Sequence, residues 1–156
     1  MSTNRRGAIE MTDEERQAFL GQGKTIYLAS NGEDGYPHLI AMWYAIDGDA
    51  VVMSTYRKSQ KVRNLLRDPR CTLLLEEGPT YAELTGLFLR GRCEVIDDEA
   101  TTLETLRKVG TRAGGSTPAG TKAEDSLRKR AKKRVTLVFR AEKTRSWDHR
   151  KLGGTY

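Results

Sequence analysis

The chain has 156 residues, of which 37% are apolar and 31% charged, and its formal net charge at pH 7 is +6. This length fits one domain with a modest core. No apolar run reaches the roughly 18 residues that a membrane-spanning helix needs, which argues against a membrane protein.

The N-terminal segment and the cysteines are typical of a cytoplasmic protein. Residues 1–11 lack the apolar stretch of a signal peptide, so we expect a flexible arm there and a single domain over residues 12–156. Cys71 and Cys93 are too few for a disulfide framework, and both lie inside apolar runs. They predict buried, reduced thiols.

Cap and turn signals divide the first third of the chain into a helix and three strands. Thr12 precedes three acidic residues, a capping-box pattern that predicts a helix over about 12–20. The apolar segments 24–30, 38–46 and 50–56 are separated by turn-rich segments and predict an antiparallel meander. Segment 38–46 is apolar at successive positions, so we expect it to be buried on both faces.

A helix is predicted immediately after the third strand. Ser59 suits its N-cap and Pro69 ends it. Val62, Leu65 and Leu66 are expected to share its apolar face.

The remainder of the chain predicts three more strands and two more helices. Gly86 and Gly91 lie inside one of these strands and indicate bulges or sharp coiling, as barrels require. Gly110 is expected to close the first of the two helices. The predicted strands are 71–77, 83–97 and 135–147, and the helices are 98–110 and a second within 122–134. Six mostly hairpin-linked strands with an inserted helix predict a mainly β fold, a small antiparallel barrel with helices.

The segment KAEDSLRKRAKKR, residues 122–134, carries seven basic and two acidic side chains. Such a cluster favours an anionic partner: a nucleic acid, a membrane surface or a polyanionic small molecule. A solvated charged helix would have the same composition. The run has no interleaved aromatic residues, which argues against binding of single-stranded nucleic acid.

Two patterns with known chemistry, a phosphate-binding P-loop and a Cys/His metal site, do not match this sequence. GQGKT at residues 21–25 lacks the first glycine of a phosphate-binding P-loop, and its helix precedes rather than follows it. His38 and His149 are the only histidines, and no Cys/His cluster has metal-ligand spacing, so we predict no metal site.

The segment STYRKSQK, residues 54–61, lies where the third strand meets the next helix. Hydroxyls, a guanidinium, ammonium groups and a helix N-terminus together make a competent phosphate site. A charged, solvated helix start is the alternative interpretation. The candidate phosphate ligands are Ser54, Thr55, Arg57, Lys58 and Lys61.

The run DGYPHLIAMWYAIDGDAVVMSTYRKSQKVRNLLRDPRCTLLLEE and the tail SWDHRKLGG carry a family resemblance. They resemble the pyridoxamine-5′-phosphate-oxidase-like split barrels, and more narrowly their flavin/deazaflavin oxidoreductase branch. The resemblance implies a six-stranded antiparallel split barrel of the FMN-binding type. It also implies a homodimer with a flavin-type cofactor in a groove at the dimer interface.

The resemblance further implies roles for individual residues. Arg57, Lys58 and Lys61 would meet the cofactor phosphate, and Ser54 and Thr55 would face the ribityl chain or the phosphate. The strand containing His38, Ile40 and Met42 would lie along the isoalloxazine ring. Trp147 and Arg150 are the candidates for closing the partner's site, although Trp147 is equally well explained as a core or interface residue.

Coenzyme F420 and FMN both carry a phosphate, so residues 54–61 do not distinguish them. The basic segment could accept the oligoglutamate tail of F420. We therefore expect an F420-dependent reductase that transfers hydride to an electron-poor double bond of a small organic acceptor, with no catalytic residue assigned. The alternatives are an FMN-dependent oxidase or reductase of the same fold, and a non-enzymatic barrel that binds a cofactor or nucleic acid.

Overall fold

The structure, a computed structural model, describes residues 5–115 and 120–153. The strands are β1 (Thr25–Asn31), β2 (Pro37–Trp43), β3 (Ala45–Asp47), β4 (Ala50–Tyr56), β5 (Arg70–Glu77), β6 (Thr85–Ile96) and β7 (Arg134–Asp148). The helices are α1 (Arg5–Ala8), α2 (Asp13–Gln22), α3 (Gln60–Arg67), α4 (Glu99–Arg112) and α5 (Thr121–Ala131), with 3₁₀ turns at Tyr81–Glu83 and His149–Leu152. No helix of the described ranges is long and apolar enough to cross a membrane.

All seven strands form one antiparallel sheet in the order β2-β1-β5-β6-β7-β4-β3. β2 and β4 are separated by four strands in this order, yet side chains of both line one groove, so the sheet curls. The inner faces of the strands pack together into the main core, with Ile26, Leu73, Leu137 and Phe139 almost fully buried. This arrangement confirms the predicted mainly β split barrel with helices.

The barrel has seven strands rather than six because segment 38–46 is two strands. Tyr44 and Ala45 are both buried, which breaks the in–out alternation of a continuous strand. The Tyr44 hydroxyl donates to the Leu20 carbonyl oxygen at 2.6 Å and fixes the break.

The predicted antiparallel meander of the first three strands is confirmed in its strand pairings, but the break divides it into two hairpins at opposite ends of the sheet. β2 pairs with β1, whereas β3 and β4 form a hairpin that pairs with β7 near the other end of the sheet.

The expectation that segment 38–46 is buried on both faces was wrong. Leu39 and Trp43 of β2 are 63% and 61% exposed. One row of paired residues crosses the outer face from strand to strand: Ala41 of β2 pairs with Tyr27 of β1, Tyr27 with Leu74 of β5, and Leu74 with Phe88 of β6. The chain by itself thus leaves an apolar sheet face largely uncovered.

The helices follow their sequence signals with three differences. α2 has the predicted capping box at Thr12, but it extends to Gln22. Leu66 of α3 is 69% exposed, so it does not share the buried face of Val62 and Leu65. α4 continues through Gly110 to Arg112 instead of ending at the glycine.

The two strand glycines act differently. Gly91 adjoins a register shift in the β6–β7 pair, which confirms the predicted bulge. Gly86 packs directly against the ring of Trp147, and a Cβ at this position would lie 2.0 Å from Cζ2 of that ring.

The predicted flexible arm is partly docked. The Ile9 carbonyl oxygen accepts from the Asp148 backbone N–H at 2.7 Å, and Met11 is buried in the main core. Residues 1–4 lie outside the described ranges.

Candidate functional site

A groove of about 720 Å³ lies between the two ends of the curled sheet and is covered by α4 and α5. One wall is formed by β2 residues 40–43, and another by β4 residues Ser54–Tyr56 with Lys61. The helices contribute Leu106, Arg107, Val109, Gly110, Thr111, Leu127 and Arg130, and Ala113, Gly115 and Arg134 complete the lining. The groove therefore contains a cationic set of side chains and an apolar set.

Lys61 and Arg134 form the cationic end of the groove. Lys61 Nζ donates to Thr55 Oγ1 at 3.0 Å, and Arg134 Nη1 donates to the Ser54 carbonyl oxygen at 3.4 Å. The Arg134 guanidinium also stacks over the Tyr56 ring, 4.2 Å from its centroid. β4–β7 pairing sets Tyr56 directly opposite Arg134, and this register brings the two cations together.

This cationic end has more positive charge than the described residues neutralise. Burial lowers the pKa of Lys61, and the charge of Arg134 lowers it further. Within residues 5–115 and 120–153, no ion pair joins Lys61 or Arg134 to a carboxylate.

Two buried polar atoms at the same place, Ser54 Oγ and Arg134 Nε, have no hydrogen-bond partner in the part of the chain that the structure describes. Buried polar groups normally have partners, because leaving one unsatisfied is costly. An anion with several oxygens would accept from Lys61, Arg134 and Ser54 together, so a phosphate group fits the cationic end.

Arg57, a predicted phosphate ligand, has other partners in the structure. Its Nε and Nη2 donate to the Asp97 carboxylate at 2.8–2.9 Å, and Nη1 donates to the Lys132 carbonyl oxygen at 2.9 Å. Its backbone N–H donates to the Lys133 carbonyl oxygen. Arg57 therefore holds the turn that precedes Arg134. Lys58 is exposed and does not line the groove.

The other predicted residues do not all lie in the groove. Ile40, Met42, Ser54, Thr55 and Lys61 line the groove together. His38 lines a neighbouring cleft with Asp34, Tyr36, Gln60 and Asn64.

Trp147 and Arg150 lie away from the groove of their own chain. Trp147 lines a separate depression of about 740 Å³ together with Phe88 and Arg145. Arg150 forms an ion pair with Asp148 at 2.8 Å. A single chain thus does not bring these two residues to the cationic end.

Sequence reasoning missed Arg134 and Arg130. Both belong to the basic segment 122–134, for which one charged helix was predicted. In the structure Arg134 is instead the first residue of β7. Arg130 lies in the last turn of α5 and Arg134 is the first residue of β7, so helical spacing does not relate them, and no local pattern in the sequence indicated that both line the groove. Of the other lining cations, Arg107 is already paired with Glu124.

Comparison with known proteins places this geometry in context. A family model described as "Pyridoxamine 5′-phosphate oxidase" matches residues 12–148. No curated protein matches the chain.

Solved structures show the same fold. A conserved hypothetical protein, Rv2991 from Mycobacterium tuberculosis, is 38% identical, with a TM-score of 0.87 over 99% of this chain and 95% of that one. An F420 reductase is 24% identical, with a TM-score of 0.64 over 82% of this chain and 94% of that one. The heme storage protein HutZ from Vibrio cholerae is 16% identical, with a TM-score of 0.64 over 84% and 90%. At these last two identities the likeness is one of fold.

Proposed function

The chain belongs to the pyridoxamine 5′-phosphate oxidase family of flavin-binding split barrels, and on that premise we propose that it is a reductase that uses coenzyme F420. In this proposal, hydride passes from the reduced deazaflavin to an electron-poor double bond of a small organic acceptor. One observation carries the proposal: the groove combines an unneutralised cationic end, with an unpartnered buried hydroxyl, and a long apolar lining.

The cationic end would hold the cofactor phosphate. Lys61 and Arg134 would donate to its oxygens, and Ser54 Oγ would gain the partner that it lacks. Because burial and Arg134 lower the pKa of Lys61, a phosphate dianion would raise that pKa again and favour the ammonium form. Phosphate binding and protonation of Lys61 would therefore be coupled.

The apolar lining would hold the ring. When bound, the deazaflavin supplies the hydride, and the protein supplies orientation and exclusion of water. Ile40, Met42 and Trp43 offer apolar surface on β2, and Leu106 and Val109 offer it on α4. These side chains would keep the ring and the acceptor in contact and dry.

We further propose a homodimer formed through the outer face of β2, β1, β5 and β6. This face carries Leu39, Trp43, Tyr27, Leu74 and Phe88, and the first two are mostly exposed in the single chain. An exposed apolar patch of this kind is typical of an interface. The depression containing Trp147 adjoins Phe88, so a partner's Trp147 and Arg150 would approach the groove from this face. The buried free thiols of Cys71 and Cys93 support a reducing, cytoplasmic location.

FMN is the alternative cofactor, and one observation favours F420. Arg130 also lines the groove and extends positive charge beyond Lys61 and Arg134. A cofactor with a polyanionic tail would use this additional cation, whereas FMN would not.

The test is a fluorescence titration of the purified protein with F420 and, separately, with FMN. We expect saturable F420 binding with a dissociation constant below that of FMN. Tight FMN binding without F420 binding would replace the F420 proposal with the FMN alternative. Binding of neither cofactor would refute both.

A further inference from the structure

Gly110 lies in α4 at a position where none of the residues 5–115 and 120–153 sterically requires glycine. Its backbone is helical and it is not among the glycines with positive φ. A Cβ added there would have no heavy atom within 4 Å. Glycine within a helix is less favourable than alanine by about 1 kcal/mol, so the residue is destabilising without a steric reason among the described residues.

The open space beside Gly110 is part of the groove. Gly110 lines it together with Ala113, the C-cap residue that follows the last turn of α4. Gly115 also lines it. Three residues with little or no side chain thus border the groove at the C-terminal end of α4.

The position of Gly110 along the groove follows from how α4 lies on the sheet. Thr105 Oγ1 accepts from Thr136 Oγ1 at 3.1 Å, and Thr136 is paired with Ser54 at the cationic end. Val109, one turn later, packs in a cluster with Val52 and Val138, which lie further from Arg134 along the same strands. Gly110 follows Val109, so it borders the end of the groove away from Lys61 and Arg134.

We propose that Gly110 keeps clearance in the groove for the flat, uncharged ring of a ligand whose phosphate lies at Lys61 and Arg134. The glycine thereby determines which ring systems the groove admits. This inference rests on the proposed function, because it takes the cationic end as the phosphate site. The missing side chain explains why a residue unfavourable for the helix is present there.

The test compares two helical glycines. Gly110→Leu places a side chain into the groove. Gly21→Leu is the matched control, because Gly21 lies in α2, would also accept a Cβ with no heavy atom within 4 Å, and does not line the groove. Each full-length variant is titrated with F420 and with FMN by fluorescence, and its thermal unfolding is recorded.

We expect Gly21→Leu to bind like the wild type and Gly110→Leu to bind about tenfold or more weakly, the effect of overpacking a filled site. A Gly110→Leu protein that melts like the wild type and binds the same cofactor within about twofold would overturn the inference. A wild type that binds neither cofactor would instead refute the proposed function, and this inference with it.

Gly110→Ala decides the matter if the leucine variant does not fold. Alanine is expected to raise the melting temperature by about 1–4 °C, because it favours the helix. It should at the same time weaken cofactor binding measurably. Higher stability with unchanged affinity would show that the glycine has no role toward the ring.

Discussion

The sharpest prediction concerns Lys61, whose ammonium lies beside Arg134 without a carboxylate partner within the described ranges. Lys61→Met keeps most of the length of the side chain and removes the charge. If Lys61 donates to the cofactor phosphate, the loss equals one charge-assisted hydrogen bond, about 1.5–3 kcal/mol. This corresponds to a dissociation constant about 10- to 150-fold higher.

The same substitution should leave the unliganded protein almost as stable as the wild type. It removes one hydrogen bond to Thr55 Oγ1, worth about 1 kcal/mol. It also removes a half-buried charge that burial and Arg134 disfavour, which acts in the opposite direction. Binding and stability would thus separate, and denaturant unfolding beside the fluorescence titration measures both.

Lys58→Met and Lys129→Met are the control variants, because each removes a lysine charge outside the groove. Lys58 was predicted from the sequence to bind the phosphate, but it is exposed and outside the groove lining, and Lys129 is an exposed lysine of α5. The structure predicts that both substitutions change affinity only slightly. Weaker binding in Lys58→Met combined with normal binding in Lys61→Met would refute the phosphate position argued from the structure.

Three further predictions concern the protonation of Lys61, the ion pair between Asp97 and Arg57, and the exposed Trp43. Because the folded-state pKa of Lys61 is lowered from the ordinary value of 10.5, the unfolded chain binds more protons between the two values, so the stability of the unliganded protein should rise with pH there. Cofactor affinity should fall over the same window, because phosphate binding needs the ammonium, and calorimetry in two buffers should detect proton uptake. Asp97→Asn should weaken cofactor binding if Arg57 positions Arg134, whereas stronger binding would show that a released Arg57 reaches the phosphate itself. Trp43→Ser should shift the protein toward monomer in sedimentation analysis, and an unchanged dimer would show that another face is used.

Much of the local structure could be predicted because its causes lie within a few residues. The capping box at Thr12 depends on backbone groups one turn away, and α3 begins after its predicted N-cap residue Ser59, although the Ser59 side chain makes no capping hydrogen bond. The bulge at Gly91 follows from a residue without a side chain inside a long strand. The break at Tyr44 was missed because its cause, the Leu20 carbonyl, is distant in sequence.

The candidate site likewise combines features with local causes and features that depend on residues distant in sequence. The sequence by itself determined that Ser54, Thr55, Arg57, Lys58 and Lys61 stand at one strand–helix corner, and its family resemblance predicted the split barrel that the structure shows. Only the tertiary structure decided which cations meet there. Pairing of β4 with β7 brings Arg134 to Lys61, and Asp97 binds Arg57. Charges act through space, so the partner of each cation is set by strand register and curling of the sheet, which no local pattern of residues encodes.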